Sequence, residues 1–456
     1  MHSPTYASYK QGIATMSANV SPGRHGRRGI SRLQFTVALL SAVVLFLDGF
    51  DTQVVSYAAP MIAREWRLPP ATLGPIFSSA LVGLMVGYLA LSPLSDRFGS
   101  KRIAVLSTAA FGLFTLATVA AGSLPELVAL RFLTGVVLGA AAPAVVTLTD
   151  EYSPRHMRAT FVLAIYCGFA LGFVAAGFAA AELLPNHGWR SLFWIGAALP
   201  LLLCPVLVAI LPESLAFLTR SGKPASQVAA MRRDAGLDTA EADSHLIPGS
   251  RPPAVFDFLR EGRAPGTVLL WLVFAINLAA FYLLQSWLPT LLTRLHRDLA
   301  TTAAATSLIS AGGIAATFVI GPAMDRLGAC RSLAMAYGAG AVGAALLGPA
   351  LPAQAWQLYL ASFCAGFCIA GGQKSAIALA TLFYPLPVRS TGLGWALGIG
   401  RAGGIGGPVL AGLLLGAGWS PAGLFYVVAV GMLVAAAATV AIGNPRVSGL
   451  VQAGRI

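Results

Sequence analysis

Charge is what this chain has least of. Asp, Glu, Lys and Arg make up 10% of its 456 residues, where a soluble domain carries about 25%. That shortfall excludes an ordinary soluble enzyme, a disordered chain and a nucleic-acid-binding domain. The scarcity is also lopsided, with 17 acidic residues against 30 basic ones and a net charge of +13. Cysteine is scarce too. Cys167, Cys204, Cys330, Cys364 and Cys368 have no histidine among them, and the one close pair, Cys364 and Cys368, lacks a third ligand. They read as small apolar packing residues, and no metal site or cofactor is expected. Period-two alternation is missing as well, which argues against a transmembrane barrel. No Ser/His/Asp constellation lies in the apolar runs, so no enzyme is expected.

What is abundant is apolar surface. Hydrophobic residues make up 57% of the chain and the mean hydropathy is +0.75. About 20 apolar residues in a helix cross a hydrocarbon core of about 30 Å. Twelve segments meet that length: 33–62, 73–93, 103–122, 126–149, 159–181, 191–211, 267–289, 302–323, 331–350, 355–380, 391–414 and 420–442. The expected fold is therefore an all-α membrane protein in two six-helix halves, 33–211 and 267–442. A polar linker over 212–266 joins them, and tails cover 1–32 and 443–456. The N-terminal tail lacks the apolar core of a secretory signal, and Met16 is a second candidate start. With the N-terminus in the cytoplasm, 22 Lys and Arg residues fall on the cytoplasmic side and 5 on the other. Both termini are expected to be cytoplasmic, in a plasma or inner membrane. The basic excess is an orientation signal rather than a nucleic-acid surface.

The two halves repeat each other. Pro93, Asp96, Arg97, Gly99 and Arg102 follow the second segment; Pro322, Asp325, Arg326, Gly328 and Arg331 follow the eighth, all at one constant offset. Such register supports duplication of a six-helix unit. Gly99 and Gly328 permit a tight reversal, while Asp96 and Asp325 can cap a helix or pair with a nearby arginine.

A charge at mid-bilayer costs about 2.5–3.5 kcal/mol on insertion scales, so each one needs a reason. Asp48 and Asp51 lie three apart in the first segment. Two close acids in a low dielectric do not easily ionise together, and such a pair can load and release a proton. One of the two aspartates pairing permanently with an arginine as a strut is the competing reading. Arg131, Lys374 and Arg401 are the cations inside segments, Arg401 within Gly398-Ile-Gly400-Arg401-Ala-Gly403-Gly404. Three cations against two acids suit an anionic ligand, whose carboxylate arginine holds bidentately. Snorkelling to the interface is the alternative for Arg131 and Lys374, and to a lesser degree for Arg401. Glu151, beside Arg155 and Arg158, is read either as a cytoplasmic salt bridge or as part of a latch. Tyr166, Phe281, Tyr282, Gln285, Trp287 and Trp395 are candidates to stack on a ring or to pack as membrane core, with Tyr282 and Trp395 carried forward as ligand contacts.

Twelve segments, a linker after the sixth and paired D-R-x-G-x-x-R loops resemble the major facilitator superfamily of transporters. The phrases Asp48-Gly-Phe-Asp51, Arg131-Phe-Leu-Thr-Gly135-Val-Val-Leu-Gly139, Gln373-Lys374-Ser and Arg389-Ser-Thr-Gly392 through Arg401-Ala-Gly403-Gly404 resemble its aromatic acid:proton symporters. The resemblance implies two bundles around a central cavity, latch loops at Asp96, Arg97, Gly99, Arg102, Asp325, Arg326 and Gly328, and proton-coupled uptake of an aromatic carboxylate. It also implies roles for Asp48, Asp51, Arg131, Glu151, Arg389 and Arg401. A carrier of another organic anion or a sugar, a multidrug exporter, and a non-transporting sensor remain as alternatives. The proline typical of drug exporters is missing from the fifth segment, Thr160 to Ala181, which argues against export.

Overall fold

The computed structural model describes residues 30–154, 157–234, 259, 262–384 and 389–444. Among them, twelve helices are long and apolar enough to cross a membrane. They are α1 (Arg32–Glu65), α2 (Leu73–Ala90), α3 (Ser100–Val119), α4 (Leu124–Tyr152), α5 (Arg158–His187) and α6 (Arg190–Ile210), then α7 (Ala264–Arg294), α8 (Leu299–Leu327), α9 (Ala329–Ala350), α10 (Ala355–Phe383), α11 (Arg389–Gly416) and α12 (Pro421–Ile442). No strand occurs among the described residues. In lipid a backbone must satisfy its own N–H and C=O groups, and apolar runs of this length do so as helices. Short helices at Leu215–Arg220 and Ala225–Asp234 occupy part of the linker.

Several helices overrun the apolar segments. The segment 267–289 becomes Ala264–Arg294, and 302–323 becomes Leu299–Leu327. Hydropathy marks the stretch suited to hydrocarbon, whereas backbone hydrogen bonding continues into charged residues until a cap or a glycine intervenes. Asp298 opens α8 by accepting the Thr301 N–H at 2.8 Å, and a Ser31/Gln34 capping box opens α1. Gly99 and Gly328 take φ +98° and +92°, the left-handed region reserved for glycine. Each donates its N–H one turn back, to Ser95 at 3.0 Å and to Met324 at 3.1 Å. The approaches differ: the first copy breaks at Leu91 into a short helix, Ser92–Phe98, while α8 runs straight through to Leu327.

Within the first half α1 packs on α5, α2 on α4 and α3 on α6; within the second, α7 packs on α11, α8 on α10 and α9 on α12. The two sets are images of one another, as expected for two pseudo-symmetric bundles. The likeness reaches single residues. A Cβ at Gly83 would strike the Phe132 carbonyl and one at Gly135 the Ala80 carbonyl. Their counterparts, Gly312 on the Phe363 carbonyl and Gly366 on the Ile309 carbonyl, repeat that contact between α8 and α10. Gly172 over Phe46 and Gly403 over Ala275 do the same for α1–α5 and α7–α11. In lipid there is little hydrophobic drive between helices, so glycine's close backbone approach supplies the dispersion contact that replaces it.

The halves meet along α5–α8, α2–α11 and α1–α7. Ser78 donates to the Ile405 carbonyl at 2.8 Å, Gln53 to the Gln285 carbonyl at 3.2 Å and Ser307 to the Val174 carbonyl at 3.4 Å. Phe77 meets Trp287 edge-on at 5.4 Å between centroids, and Trp287 donates to the Pro408 carbonyl at 3.0 Å. These contacts concentrate toward the end of the molecule bearing residues 66–72 and 295–298, called here the distal face. The largest apolar core crosses the seam there, whereas a smaller one stays within the first bundle on the linker side.

Gly135→Leu or Gly366→Leu forces two backbones apart, and we expect loss of folded protein from the membrane, read as the monodisperse fraction on size-exclusion chromatography. Gly338→Ala, whose added Cβ meets nothing within 4 Å, is the matched control and leaves that fraction unchanged.

Candidate functional site

The charged residues inside the bundles divide into two groups. Asp51, 1% exposed, faces Arg131, 0% exposed, with Nη1 at 2.8 Å from Oδ2 and 2.9 Å from Oδ1. Arg131 Nη2 also donates to the Asp51 backbone carbonyl at 3.1 Å, and Thr115 Oγ1 donates to Oδ1 at 3.3 Å. The Phe193 ring lies 5.9 Å from the Arg131 guanidinium carbon, a cation–π distance. These bonds tie α1, α3, α4 and α6 together. A buried ion pair gains little over apolar packing, but removing one member strands the other at a penalty of about 3–5 kcal/mol. The structure therefore separates two acids that the sequence reading joined as one proton-loading pair. Asp51 serves as the strut to an arginine, and Arg131 is not presented to the space between the bundles as a free carboxylate anchor.

Asp48, 3% exposed, makes no ion pair among the described residues; Thr52 Oγ1 donates to it at 3.5 Å. The opposite charge acting on it most strongly is Arg401, ahead of Arg131. Arg401 comes from the other bundle. Its Nη1 donates to the Tyr282 hydroxyl at 3.1 Å, and its Nη2 crosses the seam to the Tyr88 hydroxyl at 3.3 Å. The guanidinium carbon also sits 5.3 Å from the Tyr88 ring centroid. Gly394, Gly398 and Arg401 share one face of α11, and a side chain built at either glycine meets nothing within 4 Å. The guanidinium thus stands at the edge of open space. Tyr166 of α5, 41% exposed, belongs to the same electrostatic group.

Lys374 of α10 donates to Thr317 of α8 at 3.4 Å and stands near Cys167 of α5. It is half-buried, held by a neutral hydroxyl. Trp395 departs from the expected ligand-contact role. It stacks on Trp271 at 5.9 Å and shares a face of α11 with exposed Ala402 and Leu413, about 120° around the helix from Arg401. Tyr282 lies against Arg401.

On the linker side, Glu151 accepts from Ser214 Oγ at 2.8 Å and from the Leu215 N–H at 2.6 Å, so it caps the helix Leu215–Arg220. Glu213, which sequence reasoning missed, accepts the Lys101 N–H at 2.9 Å beside Gly99. An acidic residue and a serine directly before a helix were the available signal. The second half's Arg326 is exposed, as are Arg97 and Arg102. The side chains of Asp96, Asp325 and Arg389 lie outside the described residues, as do Arg155 and His156 altogether. Tyr88 was also missed, since a tyrosine in an apolar segment carries no mark of its partner.

Two pseudo-symmetric six-helix bundles, joined at one end and bridged by Arg401 between them, define a multi-pass membrane protein of the transporter type. The sequence profile described as Major Facilitator Superfamily matches residues 41–349 and 270–454. The 4-hydroxybenzoate transporter PcaK of Pseudomonas putida is 39% identical over 396 residues, covering 86% of this chain and 88% of that protein. The gallate transporter of Pseudomonas putida is 37% identical over 423 residues, covering 92% of this chain and 94% of that protein. The inward-open structure of the xylose transporter XylE from E. coli matches with a TM-score of 0.70 at 17% identity, over 89% of this chain and 95% of that one. The chain belongs to the Major Facilitator Superfamily, and it is a transporter rather than an enzyme.

Removing one member of the strut strands a buried charge, so Asp51→Leu or Arg131→Met should each destabilise the protein by about 3–5 kcal/mol. The double variant should recover much of that loss. Thermal denaturation of the four proteins in one double-mutant cycle checks it.

Proposed function

We propose that this protein imports an aromatic carboxylate together with a proton, with Arg401 holding the carboxylate and Asp48 carrying the proton. The observation that carries the reading is that Arg401, among the described residues, is satisfied only by neutral tyrosine hydroxyls from both bundles. A carboxylate makes shorter and stronger charge-assisted bonds with a guanidinium than a phenol does. An incoming acid therefore displaces Tyr88 and Tyr282 from the fork, and the released rings, with Tyr166, flank an aromatic ligand. Relatives that carry 4-hydroxybenzoate and gallate by name support this ligand class.

Coupling follows from competition. Asp48 and the substrate carboxylate draw on the same cation, so an ionised Asp48 opposes substrate and a protonated one admits it. Loading both neutralises the Arg401 charge between the bundles, which lowers the barrier to carrying the site past the apolar seam. The Asp51–Arg131 strut keeps α1 rigid against its own bundle throughout. The charge asymmetry of the loops supports cytoplasmic termini in an inner membrane, and with that orientation the distal face is outside. On this reading the glutamates of the linker side, with Gly99 and Gly328, act as the latch that parts when the linker side opens.

In proteoliposomes we expect uptake of radiolabelled 4-hydroxybenzoate to rise with acid outside and to collapse with a protonophore. Equal uptake with and without the gradient overturns proton coupling. Asp48→Asn should abolish accumulation while keeping substrate exchange at equal concentrations. Arg401→Lys, which keeps the charge but loses the planar fork, should weaken half-saturation by about tenfold.

A further inference from the structure

A second space lies at the distal end of the seam, where α1 and α7 end. It measures about 180 Å³ and is lined by Arg64, Leu68 and Leu73 from the first bundle and Thr290, Thr293 and Arg294 from the second. The two helix ends are images of each other. Pro60 and Pro289 hold equivalent places in the repeat, and so do Arg67 and His296, the residues with positive φ that are not glycine. The lining of this space includes one cation from each bundle, Arg64 and Arg294, although they are not repeat equivalents: Arg64 corresponds to Thr293 and Arg294 to Glu65. Neither Arg64 nor Arg294 makes an ion pair among the described residues.

The neighbouring acids are spent elsewhere. Glu65, next to Arg64, takes the Trp189 indole N–H at 2.7 Å and pairs with Arg190 at 3.0 Å. Asp298, just past Arg294, caps α8 through the Thr301 N–H. Deeper in the same space Thr290 is 1% exposed, and its Oγ1 has no hydrogen-bond partner. A buried hydroxyl without a partner is unfavourable, so a polar ligand atom that reaches it gains. Two cations at the rim, a free hydroxyl inside and leucine walls fit a small anion with an apolar body. A cavity of about 150 Å³ holds a benzene molecule, so about 180 Å³ admits one ring with its carboxylate.

We propose that this space is a second anion site, which takes a single-ring aromatic carboxylate from outside and thereby holds the distal face shut. The inference rests on the proposed function for its ligand class and its sidedness. Its walls come from both bundles, so the site is complete only while they meet at that face. A ligand that binds one state alone shifts the population toward it. An anion held by both Arg64 and Arg294 links the two bundles at that face and opposes reopening, so external substrate at high concentration slows its own uptake.

Two measurements test this. The first is equilibrium binding of radiolabelled 4-hydroxybenzoate to Arg401→Gln protein in lipid nanodiscs, where the central site is disabled. A saturable residual binding should remain, weaken by about tenfold with Arg64→Gln or Arg294→Gln added, and return with Arg64→Lys. The second is initial uptake against rising external substrate. The wild type should pass through a maximum, whereas Arg64→Gln should rise to a plateau with its rate at low concentration unchanged. Absence of residual binding, or residual binding indifferent to both arginines, overturns the outer site. Residual binding of this kind in a protein that shows no uptake at all overturns the central reading and leaves the outer site standing.

Discussion

A charge inside a low-dielectric bundle must be neutralised where it stands, and that constraint orders the interior of this transporter. Asp51 and Arg131 meet it locally: donor and acceptor come from one bundle, both are sealed from solvent, and Thr115 takes up a further lone pair. Such a pair contributes little net stability compared with apolar packing, but it makes α1 a fixed part of its bundle. Asp48, one turn earlier on the same helix, has no such partner. The opposite charge acting on it most strongly belongs to the opposite bundle. The difference between a strut and a working site is thus a difference in which bundle supplies the cation.

The internal repeat sharpens this. At the offset that aligns the two glycine loops, Asp48 corresponds to Asn277, which donates to the Ile369 carbonyl at 2.9 Å and needs no counter-charge. Arg131 corresponds, through Phe132 and Phe363, to Ser362. The second bundle has therefore kept the helix packing of the first, glycine for glycine, while replacing its buried ions with neutral groups. Its own cation, Arg401, sits instead at the edge of the seam. Two copies of one scaffold thus differ in charge: one carries the buried acids Asp48 and Asp51, the other the seam cation Arg401.

Much of this was legible in the amino-acid sequence because the bilayer leaves few choices. A run such as 420–442 is a helix on length and hydropathy alone, and Gly99 and Gly328 announce their positive φ through the repeated loop. What stayed hidden depends on helix rotation. Asp48 and Asp51 are about 60° apart around α1, at about 100° per residue. That is enough for one to face inward and the other the seam, yet the spacing reads as a shared face. Trp395 and Arg401 are less than two turns apart on α11, and whether both face the cavity turns on an angle that composition does not encode. Glu213 was concealed differently, since its partner is a backbone N–H at Lys101, and backbone donors leave no trace in sequence.

The seam itself shows how the same forces permit motion. Within each bundle, glycines bring carbonyl and Cα into contact along whole helices, and such surfaces interlock and do not slide. Across the seam, apart from the bond of Arg401 to Tyr88, the bonds named above are single and neutral: Ser78 to Ile405, Ser307 to Val174, Gln53 to Gln285. Each is a hydroxyl or amide on one backbone carbonyl, worth about 0.5–1.5 kcal/mol net. Rocking one bundle against the other would exchange a few such bonds and the cross-seam contacts of Gly74 and Gly177, and would leave the glycine contacts inside each bundle intact. On the proposed mechanism, bundles interlocked in this way would not absorb a change of charge at Arg401 or at the distal arginines locally, and would express it as displacement of a whole bundle.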